Sequence, residues 1–224
     1  MTVAQTPATR TTARSSARDL AQIAVFAALI AALTLPGAVP IGIGVPITLQ
    51  TLGVMLAGAI LGARKGALAV TAYVALGLAG LPILSGGTGG LGVLVGPTGG
   101  YLLGFILGAY VIGWLAERLT PRLKFWTLLI ATSVGGILAV YLVGIPWLAA
   151  VTGMPIGAAI AAGSLPFLIG DAIKAIVAAV VAAGVHRAWP GLIAERSWPW
   201  RRDRAVAPAE GAAAAPTEAT PSDS

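Results

Sequence analysis

Charge is scarce in this chain. Only 10% of its 224 residues are charged, 14 Lys and Arg against 8 Asp and Glu, while 57% are hydrophobic. A soluble domain usually carries about 25% charged residues, because its surface faces water. So few charges cannot cover a globule of this size, which argues against a soluble enzyme. Cysteine is absent, which excludes a disulfide scaffold and a thiolate metal site. There is one histidine, His186. One histidine at the end of an apolar run offers too few ligands for a metal. It also lies too far from Ser85 and Ser164 to act as the base of a nucleophile. No Gly-Lys-Ser/Thr phosphate loop occurs, and "GPTGGYLLG" leads into an apolar run rather than a βαβ unit. No catalytic residue, metal or cofactor is expected. If the chain takes part in ATP-driven transport, the ATPase is another chain.

Apolar length is what the chain has in quantity. A transmembrane helix needs roughly 20 mainly apolar residues, and six runs qualify, near 20–38, 46–63, 66–84, 98–116, 125–148 and 165–185. The basic residues fall between them. Arg10, Arg14 and Arg18 precede the first run. Arg64 and Lys65 form a pair. Arg118, Arg122 and Lys124 form a cluster, and Arg187, Arg196, Arg201, Arg202 and Arg204 follow the last run. With the N-terminus inside, the inner segments are 1–19, 64–65, 117–124 and 186–224. The outer connections, near 39–45, 85–97 and 149–164, contain no Lys or Arg. This is the positive-inside pattern, and it directs the net charge of +6 toward an anionic membrane surface. No basic stripe or aromatic interleaving points to nucleic acid. A basic leader followed by "ALTLPGA" also fits a secretory signal peptide, but the apolar stretch is long for one. The expected fold is all-α, a polytopic membrane protein with a six-transmembrane-helix bundle. Residues 1–17 and 188–224 form largely disordered tails around a membrane domain at 18–187. The stretch 206–224 is the poorest in bulky apolar side chains.

Small residues are placed at helical spacing. Gly58, Gly62 and Gly66 recur every four residues, as do Gly96, Gly100, Gly104 and Gly108. Such spacing lets two backbones approach closely. Ala24, Ala28 and Ala32 line one side of the first run, with Ala27 and Ala31 beside them. Two readings stand for these alanines, packing within the bundle or docking of a partner membrane protein. The outer segments "PGAVPIGIGVPITLQTLG" and "GLPILSGGTGGLGVLVGPTGG" carry no charge and alternate apolar residues with Gly. Chain that lines or covers a cavity looks like this; a loop touching headgroups is the alternative.

Asp171 and Lys174 are the charges inside an apolar run. A charge at mid-membrane costs about 2.5–3.5 kcal/mol on insertion scales, so two on one turn need a reason. They are either an internal ion pair or a ligand site. Asp171 is six residues past Leu165, about 9 Å along the axis from there, and within reach of the outer side. A carboxylate beside an ammonium suits a ligand neutral at its buried end. A cyclic urea is one such ligand, its N–H groups toward Asp171 and its carbonyl toward Lys174. Thr48, Gln50 and Thr51 offer donors and acceptors near the outer mouth, though Thr also caps helices. Tyr73 and Tyr101 are candidate wall residues. Gly87 and Gly90, in the second of the outer segments, are further candidates for substrate binding. Trp114, Trp126, Trp147, Trp189, Trp198 and Trp200 mostly fall at expected interfaces.

Three blocks together resemble the BioY family, the biotin-binding membrane (S) subunits of energy-coupling-factor (ECF) vitamin transporters. They are "VPITLQTLGVMLAGAILGARKGALAVTAYVALGLAGLPILSGG", "GGLGVLVGPTGGYLLGFILGAY" and "GDAIKA". The resemblance covers about residues 18–187. It implies a six-helix substrate-binding subunit in the bacterial inner membrane, with both termini cytoplasmic, that captures biotin from outside. Asp171 and Lys174 match the family's polar pair, expected near the ureido ring. The loop between the first two spans is expected to act as a lid. Ala24, Ala27, Ala28, Ala31 and Ala32 resemble the surface that meets the coupling transmembrane subunit, and cytoplasmic ABC-type ATPases complete the implied complex. A subunit of this type for another small vitamin and a non-transport structural protein remain as alternatives.

Overall fold

The computed structural model describes residues 10–34, 45, 47–119 and 124–193. Residues 36–44 of the expected lid, Arg122, and the tails 1–9 and 194–224, with Trp198, Trp200 and four of the C-terminal arginines, lie outside the described residues.

The described chain is helical: α1 (Arg10–Thr34), α2 (Gln50–Leu61), α3 (Ala63–Leu78), α4 (Gly99–Leu119), α5 (Phe125–Thr152) and α6 (Ile156–Ala188). Two short turns, Ser85–Gly87 and Gly92–Val95, interrupt the segment between α3 and α4. Four of the six helices are long and apolar enough to cross a membrane: the Ala17–Thr34 part of α1, and α4, α5 and α6. Helices α2 and α3, of 12 and 16 residues, are shorter than the expected runs 46–63 and 66–84. The reason for α2 lies in its place. It packs against α1, α3, α4 and α6, and its buried residues run from Gly53 to Leu61 without a gap. A helix enclosed by other helices need not match the hydrocarbon thickness.

The last two helices are longer than expected. The outer connection expected at 149–164 shrinks to Gly153–Pro155, because α5 continues past residue 148 to Thr152 and α6 begins at Ile156; Pro146 and Pro166 lie inside these helices. Proline removes one backbone bond from a helix, and neighbouring helices compensate for that loss in membrane bundles. Gly153, at φ 70, ends α5 in the left-handed conformation. Between Ser133 and Val140 the helix α5 widens into a π-helical stretch, Val134–Ala139.

Backbones meet at the glycines. A Cβ on Gly58 would lie 2.6 Å from Ala109 O, and one on Gly104 2.8 Å from Val140 O. Gly108 packs on Gly135 O, and Gly66 on the backbone of Ala57 and Gly58. Gly100 packs against the Trp147 side chain. Gly62, at φ 83, makes the single-residue turn from α2 to α3. The spacing noted at 58, 62 and 66 therefore combines two interfaces and a turn. Isoleucines, leucines and valines on the outside of α5 and α6, among them Leu142, Ile169, Ile173 and Val180, are exposed, as lipid-facing residues are.

Three polar contacts align the same end of the bundle. Lys65 Nζ lies 3.2 Å from Asp19 Oδ1, joining the starts of α3 and α1. Ala63 N donates to Glu117 Oε1 at 2.8 Å, joining α3 to the end of α4. His186 Nε2 lies 2.8 Å from Ala59 O, joining the ends of α6 and α2. Arg64, Lys65, Arg118 and Arg187 thus share one end.

Gly104→Ala places its methyl group against main-chain atoms that have no side-chain freedom to yield. It is expected to destabilise the chain by about 1–3 kcal/mol. Gly184→Ala, where a Cβ would meet nothing within 4 Å, is expected to be neutral or slightly stabilising. Thermal unfolding of the two variants in one detergent measures the difference.

Candidate ligand-binding site

Helix α6 carries Asp171 and Lys174 at its middle, not near its outer end. Asp171 follows Ile156 by fifteen positions, about 22 Å along the axis, rather than the 9 Å expected from a start at Leu165. Helix α2 begins at the same depth. Thr51, in its first turn, donates to Asp171 Oδ1 at 3.2 Å. Thr48, Gln50 and Thr51 therefore sit deep in the bundle rather than at its outer mouth. A helix that starts midway turns the positive end of its dipole toward the carboxylate, as broken membrane helices do at ligand sites.

The pair is closely bonded. Lys174 Nζ lies 3.0 Å from Asp171 Oδ1 and donates to Thr51 Oγ1 at 3.0 Å. Tyr141 donates to Asp171 Oδ2 at 2.7 Å. Asp171 is 3% exposed and Lys174 8%. An ammonium has three donors, and each carboxylate oxygen accepts about two. Among the described residues, one Lys174 N–H and one acceptor position on Asp171 Oδ2 are left over.

These groups line a cavity of about 580 Å³, its mouth included. Thr48, Gln50, Thr51, Tyr101, Asp171 and Lys174, all expected from the sequence, line it. Thr48 Oγ1 also accepts a long 3.4 Å contact from Gln50 N, so it both lines the cavity and braces the start of α2. Leu102, Phe105, Val140 and Phe167 supply apolar wall, and Leu84, Ser85, Val93 and Thr98 close it from the segment between α3 and α4. Tyr101 is held by a bond to Gly163 O at 2.8 Å. Gln50 Nε2 and Ser85 Oγ are buried there with no hydrogen-bond partner among the described residues.

Other candidates lie elsewhere. Tyr73 is fully buried and does not line the cavity; its hydroxyl donates to Ile83 O at 2.8 Å and lies 3.2 Å from Thr34 Oγ1. It anchors the outer segment instead. Gly87 and Gly90 sit in that segment at φ 70 and 94, with nothing near a Cβ, and neither lines the cavity. Tyr141, Ser85 and the apolar wall were missed. Tyr141 stands in the apolar run of α5 with no polar neighbour in sequence. Only the packing of α5 on α6 brings its hydroxyl to Asp171.

The alanines of α1 divide. Ala24, Ala28 and Ala32 are exposed, Ala27 is buried, and Ala31 is half-buried against the core. Among the described residues there is no group of three or more metal-binding side chains.

Comparison with known proteins follows the same lines. The model of the BioY family matches residues 6–191. The chain is 46% identical over 173 residues to the biotin transporter BioY of Rhizobium etli, covering 75% of this chain and 92% of that protein. It is 44% identical over 182 residues to the biotin transporter BioY of Rhodobacter capsulatus, covering 78% and 96%. A crystal structure of the S-component for biotin from an ECF-type ABC transporter matches with a TM-score of 0.73 at 34% identity, covering 82% of this chain and 95% of that one. With a family model spanning most of its length and relatives this similar along nearly their whole length, the chain belongs to the BioY family.

Proposed function

We propose that the chain is the membrane-embedded biotin-capture subunit of an ATP-driven ECF-type transporter. One observation carries the reading. The buried Asp171–Lys174 pair, in a cavity of a BioY-family chain, keeps one acceptor and one donor unused among the described residues. A ureido ring presents an N–H beside a carbonyl and can take both. The rest of the cavity is mostly apolar and suits a bicyclic sulfur heterocycle and an alkyl tail. Gln50, Ser85, Thr48 and Thr98 offer polar groups to the tail carboxylate. Charge-assisted hydrogen bonds are worth about 1.5–3 kcal/mol each, so the pair sets specificity as well as affinity.

In this reading six helices span the membrane domain at 18–187, flanked by tails at 1–17 and 188–224. Both termini face the cytoplasm. The shared end of Arg64, Lys65, Arg118 and Arg187 supports that orientation by the positive-inside rule. Biotin arrives from the opposite face, and the chain between α1 and α2 closes over it. Release inside follows reorientation of the whole subunit with a coupling transmembrane subunit, powered by cytoplasmic ATPases. The exposed stripe Ala24, Ala28 and Ala32 is the docking face for that coupling subunit. Ala27 and Ala31, turned toward the bundle, hold α1 in place.

Two experiments test the reading. Asp171→Asn is expected to weaken biotin binding by at least about tenfold, the equivalent of one charged hydrogen bond. Biotin methylated on its ureido nitrogens should bind the unaltered chain more weakly than biotin. Calorimetric titration of the purified chain reads both, and equal affinities for biotin and its methylated form would sink the ureido assignment. Separately, Ala28→Leu is expected to abolish co-purification with the coupling subunit, and uptake with it, while the isolated chain still binds biotin. Unchanged co-purification would remove the docking face from the proposal.

A further inference from the structure

A second cleft lies at the opposite end of the bundle from the ligand cavity. Arg18, Asp19 and Gln22 of α1, Lys65 of α3, and Trp189, Gly191 and Leu192 just beyond α6 form its walls, around about 1210 Å³ of space open to the surroundings. The chain turns sharply there: Gly191, at φ 93, leads to Ile193, which is buried in the core at 3% exposed. The cleft is therefore built by a fixed fold-back and not by a loose tail.

Its chemistry is cationic. Lys65 Nζ donates to Gln22 Oε1 at 2.9 Å and to Asp19 Oδ1 at 3.2 Å, which leaves one N–H without a partner among the described residues. Arg18 is exposed. Two cations face one carboxylate, so the cleft carries a net positive charge. Trp189, 65% exposed, adds an indole N–H at the depth where aromatic residues meet headgroups. The surface leading from the cleft toward the membrane interior is apolar. Val25 lies seven residues beyond Arg18 on the same face of α1, and Leu68 lies three beyond Lys65 on α3. They are 63% and 53% exposed. A polar, cationic cleft continuous with exposed apolar helix surface has the two-part character of an amphiphile's partner.

We propose that this cleft binds the phosphate-bearing headgroup of an anionic phospholipid, with Arg18 and Lys65 on the phosphate and the acyl chains along Val25 and Leu68. Basic pockets between transmembrane helices take such headgroups by charge, hydrogen bonding and adjacent apolar surface. The site rests on the chain's lying in a membrane and is independent of its ligand at Asp171. A lipid held here ties α1, α3 and the end of α6 together at one membrane surface.

Native mass spectrometry of the full-length chain in detergent tests this, with titration of phosphatidylglycerol, phosphatidylcholine and glycerol phosphate. One phosphatidylglycerol is expected to be retained per chain in preference to the other two. Arg18→Gln and Lys65→Gln should each lower its retention by about fivefold, the worth of one cation near an anionic surface. Lys124→Gln, at the same end but outside the cleft, should leave it unchanged. Biotin affinity should be unaltered in all three variants, which reports folding separately. Equal retention of phosphatidylcholine, equal binding of glycerol phosphate, or indifference to both cleft substitutions would overturn the proposal. Loss of coupling-subunit co-purification with lipid retention intact would overturn it too, by showing the cleft to be a protein contact.

Discussion

The buried pair of Asp171 and Lys174 is the constraint around which the bundle is arranged. Neither charge is tolerable alone in hydrocarbon, and mutual attraction repays desolvation only when the remaining bonding positions are also filled. The structure fills most of them from three helices, and among the described residues leaves one Lys174 N–H and one acceptor position on Asp171 Oδ2 open. Lys174 lies one turn along from Asp171 on α6, Thr51 comes from the start of α2, and Tyr141 comes from α5. For Thr51 to arrive, α2 must begin at the middle of the membrane. For Tyr141 to arrive, α5 must pack closely on α6. The half-length of α2 and the position of α5 are thus parts of one solution to one electrostatic problem.

Close backbone approach makes that solution possible. Helix α2 is enclosed by its neighbours, and it can be so only where side chains vanish at the contacts. Gly58 meets Ala109 on α4, and Gly66 meets Ala57 and Gly58. Gly104 and Gly108 bring α4 against α5 at Val140 and Gly135, and the latter lies in the π-helical stretch just before Tyr141. A π-helical turn changes the direction in which the following side chains point. The glycine interface and the aim of the tyrosine are therefore neighbours on α5.

Much of this was legible in the residues. The order of basic clusters predicted which helix ends lie together, and the contacts of Lys65, Glu117 and His186 place them so. Asp171 and Lys174 stood out because charge in an apolar run has few explanations. The polar residues of "TLQT" stood out for the same reason. Tyr141 did not, since a tyrosine in a membrane span is ordinary until its partner is known. Tyr73 and Tyr101 looked alike in sequence and separated only on packing, one bonded to the Ile83 carbonyl and the other lining the cavity. Helix limits failed at the outer ends of the last two helices. Helix α5 runs past residue 148 to Thr152 and α6 starts at Ile156 rather than near 165, and the depth of Asp171 was misjudged as a result.

The same arrangement limits what the chain can do by itself. Beneath the cavity, α2 continues through Val54, Met55, Ala57 and Ala59, all at most 1% exposed. Gly136 of α5 rests directly on the Met55 side chain. This lower half of α2 is a close-packed plug between the cavity and the charged end of the bundle. Close-packed interiors do not deform continuously, so a ligand held at Asp171 has no route through the plug without displacement of α2. Moving α2 in place would take Thr51 away from both Asp171 and Lys174 and leave the buried ion pair short of two hydrogen bonds. A motion of the subunit as a body preserves those bonds and still changes which side of the membrane the cavity faces. In the function proposed above a partner supplies the work for that motion, and the partner then needs a surface to grip. The most economical surface is one that takes no part in the plug, and on α1 the exposed residues Ala24, Ala28 and Ala32 meet that condition while Ala27 does not.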